Sequence, residues 1–415
     1  MDNNIIDMTN FENTSINKFE KSPILDAFGR IRVSEPNNRF DCEFINDEQT
    51  LITDQVTSGG GTITHNANSG DLTLAIGDAT NGSEAAVYSH YDIPYTAGCS
   101  QLIEITGTLD NAAIGGGTAS VFLRSSVSGS VVETVVDKAS WDDTLDSNQL
   151  SDLDFSFSQI FAMQFQSLKV GRIDFGFSRE GEPVAAHGIS NDNIRTTGYW
   201  QRPTLPVCWR IYNDSGNTIS EIMYGDESDG IGFRYTITAN AGASMRAICG
   251  TVKSEGGGRV QDLLGYPFSY GMGTTSTTVG NTLIPVLSLR MADTFNGVSN
   301  RGLAVPTLFD LQIDNPIYYE ILYRPTLTGA SFESVDANFS AMEYDTSATA
   351  VSGGIVVDSG YASTGKNIAA SVEGFLGRTI MSLGRLTPDI LTFAAIRTTN
   401  TSADTSVAMK WKELR

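Results

Sequence analysis

From about residue 50 onward the chain places its large apolar residues on alternate positions, the period of a strand rather than a helix. Phe155 and Phe157, then Phe161, Met163 and Phe165, share one phase, and Ile173, Phe175 and Phe177 repeat it after Val170-Gly171-Arg172. Val207, Trp209 and Ile211 alternate with Cys208, Arg210 and Tyr212, and Phe233, Tyr235 and Ile237 form a further run. Residues 120–124 make a shorter one. Runs of about five to eight residues, each bounded by Gly, Asn, Asp or Ser, predict the sheets of a sandwich or jelly roll.

A glycine-rich break follows at Ser254-Glu255-Gly256-Gly257-Gly258, and residues 266–281, rich in Gly, Thr and Ser, read as a linker. Beyond it, 283–289, 318–323 and 354–357 read as strands. Residues 406–414 read as a closing strand with Val407, Met409 and Trp411 on one face. No exact repeat is visible, which disfavours a propeller or solenoid. Residues 1–44 differ from the rest. Apolar positions are sparse there, and the segment from Ser22-Pro23 to Glu35-Pro36 is bracketed by prolines that suit no central strand. The expected architecture is all-β: an extended N-terminal arm over 1–44, then two β-sandwich or jelly-roll-like domains over 45–265 and 266–415.

Composition supports that reading. Charged residues make up 18% and glycines number 41, leaving little material for long amphipathic helices. The formal net charge of −21 repels phosphate backbones, so no nucleic-acid partner is expected; it suits docking onto a basic surface, but a solvated acidic exterior is the reading expected. Cys42, Cys99, Cys208 and Cys249 are scattered, without the clustering of a disulfide framework or zinc site. The acidic N-terminus has no apolar core of a signal peptide, and no stretch approaches the ~18 apolar residues of a membrane span. These features predict folding in a reducing cytosol and no membrane partner.

Candidate chemistry is thin. There are three histidines, His65, His90 and His187, and no zinc-protease, nucleophile-elbow or phosphate-loop motif. Two acidic groups stand out: Asp142, Asp143, Asp146, Asp152 and Asp154, and then Asp226, Glu227 and Asp229. Either offers oxygens for Ca²⁺ or paired acids for glycoside hydrolysis, but neither has EF-hand spacing, and both are expected to be solvated loops. Trp209, on an alternating strand, is expected in the core. Tyr199-Trp200 lies beside Arg202-Pro203 in a loop-like setting, and its aromatic faces are candidates for stacking on a sugar. No catalytic residue, metal or cofactor is assigned.

The phrase Asp26-Ala27-Phe28-Gly29-Arg30-Ile31-Arg32-Val33-Ser34 resembles one carried near the N-terminus by a widespread group of tailed-phage virion proteins. Further similarities follow in order: Trp141-Asp142, Gln159-Ile160-Phe161, Phe165-Gln166, Val170 to Ile173, Phe175-Gly176-Phe177, His187, Asn193, Pro203 to Val207, Val252 to Gly257, and Trp411-Lys412-Glu413. The acidic stretch after Trp141 departs from that group, and 221–230 reads as extra loop. The resemblance implies a non-enzymatic structural component of the virion, assembled in the host cytoplasm, either capsid decoration or head fibre, or tail-associated. Its implied partners are other virion proteins and further copies of itself. Within the arm, Phe28 would be an apolar anchor, with Arg30 and Arg32 on one side of an extended segment for acidic partners. The rival readings are a virion-displayed receptor- or glycan-binding protein using Tyr199 and Trp200, and a carboxylate-based polysaccharide depolymerase.

Overall fold

The computed structural model describes residues 36–77, 80–109, 116–142, 150–166, 168–239, 241–256, 265–363, 368–371, 380–385 and 387–414. The described chain is all-β, with every strand pair antiparallel and a single three-residue 3₁₀ turn at Lys138–Ser140. It divides into two compact units. The first holds the described residues up to 256 except His90–Asp92, and the second holds His90–Asp92 with the described residues from 265 onward.

The first unit is a sandwich of two sheets. One runs in the order Glu182–Ile189, Ile173–Arg179, Gln159–Phe165, Ser100–Gly107, Ala243–Glu255, Asp71–Ile76 and Gly61–Asn66. The other runs Thr53–Ser58, Glu84–Ser89, Val207–Asp214, Asn217–Gly225, Gly230–Ile237, Thr118–Ser125 and Val132–Asp137. Alternation decides which side chains meet. Phe161, Phe165, Phe175 and Phe177 point inward from the first sheet, and Phe233, Tyr224 and Trp209 from the second. The Phe233 ring lies 5.1 Å from Phe161, 5.0 Å from Phe177 and 5.7 Å from Phe175, and Phe165 lies 5.6 Å from Tyr224. Offset and edge contacts at such spacings add to the area each ring buries. Trp209, buried as expected, also donates its indole N–H to Thr106 O at 3.2 Å.

Several expectations need correction here. Residues 36–44 are not arm. Pro36–Glu43 pairs with Ala243–Glu255, and Phe40, Cys42 and Phe44 are buried, with Phe44 5.7 Å from Trp209. Pro36 opens the strand, the position where a missing N–H is tolerated. The rest of the arm, with Phe28, Arg30 and Arg32, lies outside the described residues. Phe157 is 68% exposed in a turn ahead of Gln159–Phe165, so it does not share the strand phase of Phe161. The stretch 221–230 is no extra loop: Asn217–Gly225 and Gly230–Ile237 are central strands, joined by a tight turn.

The second unit is a smaller sandwich. Its first sheet runs Tyr266–Gly271, Ala403–Leu414, Leu303–Ile313 and Ile368–Ser371, with Thr277–Val279 also on Ala403–Leu414. Tyr266–Gly271 and Thr277–Val279 therefore occupy what reads as linker in the sequence. The second sheet runs Glu333–Ser334, Met342–Asp345, Ile284–Met291, Ile390–Arg397, Ile317–Tyr323 and Ile355–Ala362. Phe309 of one sheet meets Tyr319 at 5.4 Å and Phe393 at 5.7 Å on the other, with Val407, Met409 and Trp411 in the same core.

Candidate functional site

The densest chemistry in the first unit lies on the outer face of the seven-stranded sheet, opposite the sandwich core. In Val207–Asp214, Trp209 and Ile211 face inward, so Arg210 faces out. The register then lines up Arg210, Glu221 and Arg234 in one row across three neighbouring strands. Arg124, from Thr118–Ser125, and Glu133, from Val132–Asp137, sit two rows along, past Phe122, and face each other across their own pair. Glu221 Oε1 accepts from Arg124 Nη2 at 2.8 Å and from Arg234 Nε and Nη2 at 2.9 and 2.6 Å. Glu133 accepts from Arg124 Nε at 2.7 Å and from Arg234 Nη1 and Nη2 at 2.9 and 2.8 Å. Arg210 Nε donates to Glu84 Oε1 at 2.6 Å, and its guanidinium lies 4.0 Å over the Tyr212 ring. The Arg124 and Arg234 guanidinium groups both lie over Phe122, at 5.0 and 4.6 Å. Three arginines thus balance three glutamates.

Burial alone would raise the pKa of Glu221, but Arg124, Arg234 and Arg210 outweigh it and bring the carboxyl down to about 2. Glu133 is likewise lowered, burial being outweighed by hydrogen bonds and charge from Arg234 and Arg124. A glycoside hydrolase needs one carboxyl held protonated as the acid, with a raised pKa. Glu221 and Glu133 are pushed the other way, so this pair holds charge and does not deliver protons. Glu221 Oε2 accepts no hydrogen bond among the described residues and lies 3.9 Å from Arg210 Nη1. Removing one member of such a buried set leaves the others uncompensated, at a cost of about 3–5 kcal/mol.

The sequence-nominated residues are dispersed. Tyr199 and Trp200 are buried, packed edge-on at 4.8 Å, with Trp200 against Phe165 at 5.4 Å and donating Nε1–H to Arg124 O at 3.0 Å. They form no open sugar-binding face: loop backbone places them, yet their side chains plug the sandwich. In the first acidic group, Asp142 lies 3.0 Å from His187 Nδ1, Asp152 takes both terminal nitrogens of Arg179, and Asp154 accepts from Ser156. These carboxylates face different partners, and Asp143 and Asp146 lie outside the described residues. The second group is not a solvated loop. Asp226 Oδ1 accepts the Ser228 and Asp229 N–H groups, Asp229 accepts from Ser126, and Glu227 accepts from the Tyr88 hydroxyl. Each histidine also has a partner: His65 meets Phe44 O at 2.7 Å and His90 meets Asp389 at 2.9 Å. No three His, Cys, Asp or Glu converge on a metal position among the described residues. None of the four cysteines is joined in a disulfide.

The sequence reading missed the arginine–glutamate lattice. Its one trace was charge on the polar phase of apolar strands, which looks the same whether that face is wet or buried.

No protein-family model matches the chain, and no curated protein does. Among solved structures, the chain is similar to an endo-1,3-β-glucanase from Streptomyces sioyaensis, with 10% identity and a TM-score of 0.31 over 53% of this chain and 96% of that one. It is also similar to lectin UEA-II complexed with galactose, with 10% identity and a TM-score of 0.27 over 52% and 99%, and to peanut lectin, with 12% and 0.21 over 53% and 98%. At these values neither the galactose of one nor the activity named for another transfers to this chain.

Proposed function

We propose that the chain is a non-enzymatic structural component of a tailed-phage virion, a capsid decoration or head-fibre protein or a tail-associated one, that binds other virion proteins and further copies of itself. One observation carries this reading: most of the large apolar residues that resemble such proteins pack in the sandwich cores and hold the scaffold together. Trp141 packs 6.1 Å from Phe177 and 6.4 Å from Phe233 and donates to Val136 O. Phe161, Phe165, Ile173, Phe175, Phe177 and Val207 are core. Trp411 donates to Glu413, which in turn accepts from the Ser340 hydroxyl and the Ala341 N–H. A resemblance concentrated in packing residues is one of architecture, as expected of a building block. The charge balance of the lattice supports a rigid sheet better than acid–base chemistry. The net charge of −21 favours a basic protein surface as the partner.

The test is mass spectrometry of density-purified particles made from the source genome, which should find the chain at fixed copy number. A chain abundant in lysate and absent from particles overturns the proposal. A version lacking residues 1–35 keeps the Pro36–Glu43 strand and should fold yet fail to enter particles. Normal incorporation would remove Phe28, Arg30 and Arg32 as the contact.

A further inference from the structure

In the second unit, Ile355–Ala362 is the end strand of its sheet among the described residues, paired on one side with Ile317–Tyr323. The inward positions of that pair carry Tyr319 and Ile321, both in the core. The outward positions place Tyr318 directly opposite Tyr361, and Glu320 opposite Ser359. Tyr361 is 77% exposed, with its ring 5.2 Å from Tyr318 at 52°. Tyr318 is half-buried and donates its hydroxyl to Glu320 Oε1 at 3.0 Å, which fixes both the ring and the carboxylate. Val356 extends the apolar strip along the same edge. Ile355, Val356 and Tyr361 are all exposed on this one strand, and an exposed apolar patch, rather than a lone exposed residue, is the informative case.

We propose that this face is a binding platform for a neutral oligosaccharide, seated on the Tyr361 ring and held through its hydroxyls by Glu320 and Ser359. A sugar ring presents an apolar C–H face and a rim of hydroxyls. An aromatic face with an adjacent carboxylate and hydroxyl answers both. Glu320 Oε1 is occupied by Tyr318, leaving Oε2 as the acceptor. The strip from Val356 to Tyr361 spans about 16 Å of extended strand, room for a short oligosaccharide lying along the edge. Charge selects among ligands: a chain at −21 with a carboxylate at the platform repels acidic glycans. A second copy of the edge is the less suited occupant, because antiparallel self-pairing centred on Asp358 sets its two carboxylates directly opposite each other. The platform does not depend on the virion reading, since it requires only this sheet.

The experiment uses the full chain and an array of neutral hexose oligosaccharides that includes maltohexaose, cellohexaose and laminarihexaose, followed by saturation-transfer NMR titration of the best binder. The expected result is saturable binding to at least one. Tyr361→Ala should weaken it at least about tenfold, Glu320→Gln several-fold, and Tyr361→Trp should keep it. Amide exchange across Ile317–Tyr323 should be unchanged in all three variants, which separates lost ligand from lost fold. Absence of binding across the array, or binding that survives Tyr361→Ala, overturns the proposal. So does a concentration-dependent dimer in sedimentation velocity that Tyr361→Ala abolishes, because the platform would then be a self-contact.

Discussion

Glu221 in the first unit and Glu413 in the second are both fully buried carboxylates on strands, and the two sandwiches treat them differently. Glu221 sits among arginines, with charge opposed to charge across neighbouring strands. Glu413 is met by three neutral donors, the Ser340 hydroxyl at 2.6 Å and the Ala341 and Trp411 N–H groups at 2.9 Å each. The first arrangement neutralises a whole sheet face at once. The second ties one loop, 340–341, to one strand. The contrast teaches that a buried acid is no single kind of object: a lattice fails as a set, and a donor cage fails locally.

The largest expected effect follows from the lattice. Glu221→Leu leaves Arg124, Arg210 and Arg234 with two carboxylates, and should destabilise the first unit by about 3–5 kcal/mol. Hydrogen exchange resolved by peptide should show deprotection across Val207–Asp214, Asn217–Gly225 and Gly230–Ile237, with Ala403–Leu414 untouched. Uniform deprotection of both units would break the comparison.

Acid should act in the same place. Glu221 has its folded pKa lowered from 4.5 to about 2, so its stabilisation is complete above the unfolded value and is lost as pH falls from 4.5 towards 2. That lowering corresponds to something on the order of 3 kcal/mol, with Glu133 adding in the same direction. An acid titration followed by near-ultraviolet circular dichroism should show this limb in the parent and a flattened one in Glu221→Leu. Identical limbs would remove the lattice as the acid-sensitive element.

A smaller effect is expected at the donor cage. Glu413→Gln keeps one acceptor oxygen but turns an amide N–H₂ against groups that also donate, at a cost of about 1–3 kcal/mol. Deprotection should stay within Ala403–Leu414 and residues 340–342. Spread into Ile284–Met291 would make the cage as cooperative as the lattice.

Much of the fold was legible because period-2 patterning is a local signal. Phe161-Met163-Phe165, Ile173-Phe175-Phe177, Val207-Trp209-Ile211 and Val407-Met409-Trp411 all fall on inward faces. The short alternation Phe40-Cys42-Phe44 carried the same signal, hidden by the polar residues and prolines before it. What stayed illegible depends on pairing. Nothing in the neighbourhood of Glu221 shows that register sets it between Arg210 and Arg234, each on another strand. Tyr199-Trp200 failed for a related reason. Arg202-Pro203 correctly signals irregular backbone, but the loop is pinned inward by the Tyr224 hydroxyl, which donates to Pro203 O at 2.8 Å. The second acidic group departs from the expected solvated loop because a buried Asp at a turn serves local N–H groups, as Asp226 does for Ser228 and Asp229.

The placement of His90–Asp92 has a consequence in time. These three residues belong to the second unit, although the chain on both sides of them, up to Ser89 and from Ile93, belongs to the first. His90 meets Asp389, 299 positions further on, in a buried pair that Arg324 and the Ser382 N–H complete. At a synthesis rate of roughly 5–20 residues per second, Asp389 leaves the ribosome about 15–60 s after His90. The strands flanking His90 can pair long before that, so the tripeptide must wait, exposed, between elements already folded. No single cut of the chain then yields an intact second unit. A fragment starting at residue 260 carries Asp389 and Arg324 but not the imidazole that meets them, and closing that last long loop is left as the late step of folding.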